Sequence, residues 1–526
     1  MNLLYCCSVI LLLVLFPRDC QGGNILVLPL EGSHWINMDI LLQALHSRGH
    51  NITIVRSSKS WYVKDKASYY NTYTVQVERS IDQKLITDMI SRSIEFERGA
   101  LPFVNFLHAT VGMLGTFVDA HTIVGEFLSA ILDDRELMTK IKDGKFDLVL
   151  TDPCWGYGVI LAKYLNLPLV YNVRWLIAGE GHLAIAPSPL SYIPITGSGN
   201  TDKMAFFQRV KNVILHIITQ TQQQLVIKLV YQKLCDKYLG PDYDYNQLVL
   251  NADLWLMRVD FVFEFPRPTM PNVVYMGGFQ CKPAKPLPEH LEEFVQSSGE
   301  HGVTIMSLGT LIGELPHDLA DEIAAAFAKL PQKVIWRYKG DRPATLGNNT
   351  LLVDWMPQND LLGHRNMKLF VNHGGTNGIY EAIYHGVPIV GIPIVFDQAD
   401  NLSRLRAKGV AVVMDVSELD RKTFRNAVQE VLIEPSYKMN MQRLSRLHRD
   451  QPMKPLDTAL FWMEFVMRHK GAAHLRTESY RMPWYSYHSV DVMLLLLTVA
   501  LFVLLIVAGL VWSCFRLCCK RKVKSD

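Results

Sequence analysis

Cysteine is scarce in this chain, and no Cys and His residues stand at the spacings that bind zinc. Nine cysteines occur in 526 residues, and only Cys154, Cys235 and Cys281 lie between residue 23 and the apolar segment near the C-terminus. An odd and sparse set of this kind excludes a disulfide framework. No ligand cluster indicates that the chain needs a metal ion.

An excess of charge of one sign is also missing. The chain has 53 Lys and Arg against 50 Asp and Glu, a formal net charge of +3, and the cations are dispersed except at the extreme C-terminus. This pattern does not indicate nucleic-acid binding. A chain of 526 residues is too long for one ordinary domain, so the length predicts two.

The N-terminus lacks the basic residues that usually begin a secretory signal, yet its remaining pattern is typical of one. An apolar run at 3–16 is too short to cross a bilayer comfortably, and a polar stretch of small residues follows to Gly23. We therefore predict a signal peptide over residues 1–23.

Charge is absent from Val492 to Trp512, which is long and apolar enough to cross a membrane as a helix. We predict a transmembrane helix over 490–512 and a tail over 513–526. The tail is basic, so the positive-inside rule predicts a single-pass type I protein with its main part in the lumen. Lys522 and Lys524 resemble a dilysine signal for retrieval to the endoplasmic reticulum, and a basic flank that stops membrane transfer is the alternative.

Between these ends, short apolar β-branched runs alternate with helical patterns, which predicts parallel sheets covered on both faces. The first set of runs is 25–30, 52–55, 147–150, 167–171, 254–257 and 273–276, and the second is 303–306, 334–338, 351–353, 369–371, 388–392 and 411–414. A proline-rich stretch at 280–289 separates the two sets. We predict two doubly wound Rossmann-like domains facing a cleft, with boundaries at 24–280 and 301–450, a linker at 281–300 and returning C-terminal helices at 451–489.

The stretch from Trp355 to Gln398 contains the clearest functional pattern. A strand, the turn NHGGTNG and a helix starting near Ile379 make an anion site that suits a diphosphate. Its predicted contacts are Trp355 stacking on a base, Gln358 reading the base edge, Glu381 on ribose, His373 and Asn377 at the diphosphate, and Asp397 and Gln398 on a sugar. The alternative is an ordinary turn with a core tryptophan and a structural histidine.

Three further loops follow predicted strands, where ligands of such sheets bind. His34 follows the first strand and could act as a general base, with Asp152 at another strand end fixing its tautomer. A helix cap for His34 and an Asp-Pro turn for Asp152 are the alternatives. Ser307, Gly309 and Thr310 form a small polar turn that could approach a phosphate.

Together these motifs resemble the UDP-glycosyltransferase family, and in particular its vertebrate-type UDP-glucuronosyltransferases. The resemblance extends over nearly the whole chain, including SHW at 33–35, TDP at 151–153, and the stretch 260–278. It implies a GT-B fold, an acceptor site in the N-terminal domain and a donor site in the C-terminal one, with His34 as base and Asp152 as its partner. It also implies that Arg258 contacts the donor carboxylate and that Gly375 and Thr376 belong to the donor site, with Thr376 at the diphosphate. Asn372 departs from the family, where many members have Thr before the histidine.

The implied reaction is transfer of glucuronate from UDP-glucuronate, a co-substrate, to a small lipophilic acceptor with inversion and without a cofactor. Other UDP-sugars, or a silent UDP-sugar-binding membrane subunit, are the alternatives. Acceptor identity, and whether the chain forms homo- or hetero-oligomers, stay open. So does the role of the apolar helical stretch 205–231, for which core packing is favoured over an acceptor pocket or a membrane contact. Asn51, Asn348 and Asn401 are candidate glycosylation sites.

Overall fold

The computed structural model describes residues 22–98, 103–174 and 180–522. The chain forms two compact units that divide after Leu475. The apolar run of the predicted signal peptide and the last four residues of the predicted tail lie outside the described residues.

The first sheet is parallel and has seven strands in the order β3-β2-β1-β4-β5-β6-β7. The strands are β1 (Asn24–Leu28), β2 (Asn51–Ser57), β3 (Asn71–Val75), β4 (Leu148–Thr151), β5 (Leu169–Val173), β6 (Leu254–Met257) and β7 (Val273–Tyr275). Its helices are α1 (Ser33–Ser47), α2 (Gln83–Glu97), α3 (Phe103–Asp133), α4 (Arg135–Asp143), α5 (Tyr157–Leu165), α6 (Gly181–Ile185), α7 (Phe206–Gln222), α8 (Lys228–Tyr238) and α9 (Tyr245–Leu250), with a π-helical turn at Gln223–Ile227.

The second sheet is parallel and has six strands in the order β10-β9-β8-β11-β12-β13. The strands are β8 (Val303–Ser307), β9 (Lys333–Arg337), β10 (Thr350–Val353), β11 (Met367–Asn372), β12 (Ile389–Gly391) and β13 (Ala411–Val413). Its helices are α10 (Glu289–Gln296), α11 (His317–Phe327), α12 (Gln358–Leu362), α13 (Thr376–His385), α14 (Gln398–Ala407), α15 (Arg421–Ile433) and α16 (Pro435–Arg449), with a 3₁₀ turn at Val416–Glu418.

In each sheet the order of the strands reverses at one point, and the loops at these two points position the site. In the first sheet β2 lies on one side of β1 and β4 on the other, so the loops after β1 and β4 open a crevice. In the second sheet β9 and β11 flank β8, and the ends of β8 and β11 are in register at Ser307 and Asn372. The predicted fold class, two doubly wound parallel sheets, is confirmed.

One helix that follows the second sheet in sequence packs on the first. Helix α17 (Pro455–His469) contacts β7 and α1, and its Leu460 and Met463 belong to the apolar core of the first sheet. The chain therefore crosses from one sheet to the other twice. Residues 281–288, within the predicted linker, form neither helix nor strand. The exact domain boundaries stay a prediction.

Two features differ from the sequence-based expectations. Strand β3 was not predicted, because its sequence NTYTV is polar and only its last residue is buried. Core packing of the stretch 205–231 is wrong for α7, whose apolar side chains are largely exposed. The exposed ones are Phe206, Phe207, Val210, Val213, Ile214, Ile217 and Ile218. The opposite face of α7 is anchored by buried Asn212, which donates to the carbonyls of Leu190 and Ile193.

The second unit contains 3₁₀ turn Glu478–Tyr480, α18 (Trp484–Tyr487) and α19 (Val490–Lys522). Within α19, Val490–Leu517 is long and apolar enough to cross a membrane. This finding supports the predicted transmembrane helix.

The three candidate glycosylation sites are not equally accessible. Asn51 and Asn348 are exposed. Asn401 is fully buried, and its amide donates to Gly374 and Asp397. A glycan cannot be accommodated at a buried side chain, so we discard Asn401 as a candidate.

Candidate active site

His34 and Asp152 meet at the crevice of the first sheet. Gly32, with φ of 71°, turns the chain after β1 so that α1 begins at Ser33 and presents His34 at its first turn. His34 Nδ1 lies 2.6 Å from Asp152 Oδ2, and the backbone N–H of Cys154 donates to Asp152 Oδ1 at 3.0 Å. Asp152 is 1% exposed and His34 22% exposed, so the carboxylate is held inside while the imidazole reaches the surface of the crevice. This is the geometry of a base and its orienting acid.

Arg258 completes this group. It follows β6, is buried, and places Nη2 3.1 Å from His34 Nδ1 and 3.8 Å from Asp152 Oδ2. Burial lowers the pKa of Arg258 to about 10, and Asp152 opposes that decrease. The guanidinium stays charged at neutral pH. The negative charge of Asp397, in the second sheet's lobe, also favours the charged form.

The predicted diphosphate loop is assembled around His373. A Cβ atom at Gly309 or Gly375 would lie 2.6 Å or 2.4 Å from His373 Nε2, so only glycine allows the two turns to approach the ring. Gly375 is the N-cap of α13, and Thr376 begins that helix. Its unpaired first N–H groups favour an anion. Ser307, at the end of β8, is buried beside this loop, and Thr310 lies half-buried in the turn after Gly309.

His373 is a neutral donor rather than a cation. Burial lowers the pKa of His373 to about 4, and nearby Asp397 only partly opposes this. Its Nδ1 is buried without a hydrogen-bond partner among the described residues. Buried polar atoms are rarely left unpaired, so this nitrogen is suited to a ligand atom.

The predicted nucleoside contacts lie on the next two elements. Gln358 begins α12 and donates from Nε2 to Glu381 Oε2 at 2.6 Å. Burial raises the pKa of Glu381 to about 7. Trp355 is 67% exposed, with the Arg337 guanidinium 5.8 Å from its ring centroid, so its ring is free to stack on a base.

The two residues that are predicted to contact the sugar differ in which of their polar atoms already have hydrogen-bond partners. Gln398 is buried, and its Oε1 accepts from the backbone N–H groups of Ile394 and Val395 at 2.8 and 3.0 Å. Only its amide nitrogen is therefore free for a hydroxyl. Asp397 Oδ2 accepts from Arg174 Nη2 at 2.5 Å and from Asn401 Nδ2 at 2.8 Å. Burial alone would raise the pKa of Asp397, but Arg174 lowers it below its usual value.

Sequence reasoning missed the contacts that join the two lobes. Asn37, one turn after His34 on α1, donates to Asn377 Oδ1 on α13 at 2.6 Å. Beside Asp397 lies a buried charge network in which residues of the first lobe (Arg174, Glu180, Glu264, Arg267) meet Asp397 and Arg404 of α14. Burial would raise the pKa of Glu180, but Arg404 and Arg267 lower it to about 2. The paired residues of this network are 87 to 224 positions apart in the sequence. At such separations no periodicity or spacing predicts contact.

Within the described part of the chain, no group of three His, Cys, Asp or Glu side chains is placed to hold a metal ion. The site instead supplies a base with its partner acid, a helix N-terminus, neutral polar groups and buried arginines. Anions and hydroxyls are the ligands that such a set recognises.

Two facing parallel sheets with these groups at their switch points define a GT-B glycosyltransferase. Solved structures with this fold align with most of the chain. The calicheamicin glycosyltransferase CalG4 matches with a TM-score of 0.56 and 18% identity, covering 85% of this chain and 99% of that one. A UDP-glucosyltransferase from Polygonum tinctorium matches with a TM-score of 0.55 and 15% identity, covering 86% and 100%.

The chain belongs to the UDP-glucoronosyl and UDP-glucosyl transferase family, whose model matches residues 23–525. It is 42% identical to UDP-glucuronosyltransferase 2A2 of Mus musculus over 495 residues, which cover 93% of this chain and 92% of the relative. It is 40% identical to UDP-glucuronosyltransferase 2B15 of Homo sapiens over 528 residues, covering 98% of both.

Proposed function

We propose that this protein transfers glucuronic acid from UDP-glucuronate to a hydroxyl, or a similar nucleophile, of a small lipophilic acceptor. The products are a β-glucuronide and UDP. The observation that supports this most is the contact between Asn37 and Asn377 at 2.6 Å, because it joins the helix that bears the base to the helix that begins at the diphosphate loop. The names of the relatives at 40% identity and above support glucuronate as the sugar.

His34 removes the acceptor proton as the acceptor oxygen attacks the anomeric carbon. Its Nδ1 faces Asp152, which leaves Nε2 as the nitrogen that takes the proton. The new bond forms between the acceptor oxygen and C1, and the bond from C1 to the phosphate oxygen breaks on the opposite face, with its electron pair leaving on UDP. The configuration at C1 is therefore inverted. Asp152 stabilises the imidazolium that results.

The donor lies along the second sheet. Trp355 stacks on uracil, Gln358 reads its edge and Glu381 accepts from ribose. The N-terminus of α13, with Ser307, His373 and Thr376, holds the diphosphate and stabilises the negative charge that leaves. Asp397 and the amide of Gln398 bind sugar hydroxyls, while Arg258 contacts the glucuronate carboxylate.

A second candidate is transfer from UDP-glucose, UDP-xylose or UDP-N-acetylglucosamine, since Asp397 and Gln398 suit any hexose hydroxyls. Membranes from cells that express the chain, and from cells that do not, are incubated with each donor and a simple phenol. A glucuronide that forms only in the first membranes is the expected result. A product with UDP-glucose alone refutes glucuronate as the donor, and UDP binding without any product supports a silent subunit.

We place the protein in the endoplasmic reticulum membrane as a single-pass type I protein with its catalytic part in the lumen. Residues 490–512 span the bilayer, after removal of the signal peptide. The exposed apolar face of α7 lies against the luminal leaflet. From Lys203 to Cys235, counting both ends, there are five Lys and Arg residues and no acidic residue, which suits an anionic lipid surface.

A further inference from the structure

Asp152 and Arg258 both lie within hydrogen-bond distance of the same ring nitrogen of His34. His34 Nδ1 is 2.6 Å from Asp152 Oδ2 and 3.1 Å from Arg258 Nη2. Asp152 accepts hydrogen bonds and a guanidinium only donates them. Nδ1 can therefore satisfy one partner at a time. It donates to Asp152 when it carries a proton, and it accepts from Arg258 when it does not.

The choice of partner decides whether His34 can act. A neutral imidazole has one proton, and the nitrogen without it is the acceptor. When Asp152 takes the Nδ1 proton in a hydrogen bond, Nε2 is bare and can remove a proton from the acceptor hydroxyl. When Arg258 donates to Nδ1, the proton sits on Nε2, and that nitrogen cannot act as a base.

The charge of Arg258 acts in the same direction. Proton transfer makes His34 an imidazolium, and a guanidinium 3.1 Å away opposes a second positive charge. The hydrogen bond to Nδ1 and the repulsion of the imidazolium both disappear if the Arg258 guanidinium moves toward an anion in the cleft.

Arg258 is poised to make that move. Among the described residues, the one hydrogen bond of its guanidinium is to His34. Arg174 is different, since its guanidinium is committed to Asp397 and Asn401 at 2.5 Å each. A buried arginine with free donors is suited to a carboxylate that takes two of them at once.

We infer that Arg258 is a positioning residue that withholds the base-competent tautomer of His34 until a carboxylate on the donor sugar draws its guanidinium away. This inference rests on the proposed function, because glucuronate supplies that carboxylate. The structure thus couples the presence of the correct sugar to the activation of the base. A donor without a carboxylate leaves Arg258 on His34 and reacts slowly even when it is bound.

The first test compares donors in the full-length chain with Arg258→Met. With UDP-glucuronate we expect kcat/KM to fall about 100-fold, as the charge-assisted contact is lost. With UDP-glucose we expect kcat to rise about tenfold, since the base is released. Arg174→Met is the matched control, a buried arginine of the same cleft without contact to His34, and it should raise the KM for both donors. If Arg258→Met lowers kcat with UDP-glucose as well as kcat/KM with UDP-glucuronate, the inference is overturned.

A second test needs no variant. UDP-xylose lacks the sugar carbon that becomes the carboxylate, so it leaves room for a small anion beside Arg258. We expect formate at tens of millimolar to raise kcat with UDP-xylose severalfold in the wild-type chain, and chloride at equal ionic strength to have no such effect. Arg258→Met should not respond to formate. Equal rates with formate and chloride in the wild type contradict the inference.

These outcomes are distinct from failure of the proposed function. A wild-type chain that makes no glucuronide from UDP-glucuronate with any acceptor of a broad phenol and steroid panel contradicts the proposed function. A wild-type chain that makes the glucuronide, but shows no gain for UDP-glucose in Arg258→Met and no formate effect, contradicts only the role of Arg258.

Discussion

Replacing Arg174 with Met removes the cation that holds Asp397 in its ionised form. Arg174 is buried and donates to Asp397 and Asn401 at 2.5 Å each. Asp397 would keep only the amide of Asn401 as a donor side chain among these partners. Breaking one side of a buried ion pair costs about 3 to 5 kcal/mol. In a chain of this size we expect the melting temperature to fall by about 5 °C and the KM for UDP-glucuronate to rise about tenfold.

The pH dependence of this loss has a defined sign. In the wild type Arg174 lowers the pKa of Asp397, so the ionised carboxylate contributes stability that is present at neutral pH and lost as pH falls through that pKa. Without Arg174, burial raises the pKa instead. The loss of stability in Arg174→Met relative to the wild type is therefore largest at neutral pH and smaller near pH 4.

Thermal unfolding of the purified full-length chain from pH 4 to 8 measures this effect. Arg79→Met is the control, because its pairs with Asp119 and Glu126 are exposed, and it should change the melting temperature by less than about 1 °C. The double variant Arg174→Met/Asp397→Asn should regain part of the stability that Arg174→Met loses, but it should not regain activity. An Arg174→Met chain as stable as the wild type at pH 7 refutes the reasoning.

Three further predictions concern separate parts of the chain. Asp152→Asn should lower kcat roughly 1000-fold with UDP affinity nearly unchanged, whereas Asp147→Asn, at the opposite end of β4, should keep normal turnover in the same assay. Burial raises the pKa of Glu381 to about 7, so its contribution to stability is full below about pH 4.5 and lost as pH rises through 7. Glu381→Gln should flatten that part of the melting profile, and an unchanged slope would argue against it. For the membrane contact, the chain is placed in nanodiscs whose lipids carry a photoreactive acyl chain. Lipid adducts should map to α7 and become fewer in the double variant Ile214→Asp/Ile217→Asp. Peptides around exposed Met439 should stay unlabelled.

Most of the fold was predictable because buried parallel strands are continuous apolar runs. All twelve predicted runs coincide with strands, and the missed strand β3 is a polar edge strand, where burial imposes no pattern. The apolar stretch at α7 was misassigned for the converse reason. Helical spacing reveals an apolar face but not what that face contacts.

The candidate site was predictable only where strand ends bring residues together. His34 and Asp152 follow strands that are neighbours in the sheet, so their contact follows from topology. Arg174, Asn37 and the buried network around Arg404 contact residues of the other lobe, and their sequence context contains no motif. Such contacts depend on how the two lobes pack, which a single sequence does not encode in any local pattern.

The central claim is that the donor is held by one lobe and the acceptor activated by the other. His34→Ala tests it most directly when UDP binding, measured by quenching of tryptophan fluorescence, and glucuronide formation, measured by mass spectrometry, are followed on the same preparation. The account predicts a UDP affinity within about twofold of the wild type and transfer lowered at least about 100-fold. Transfer at the wild-type rate by His34→Ala would contradict the account.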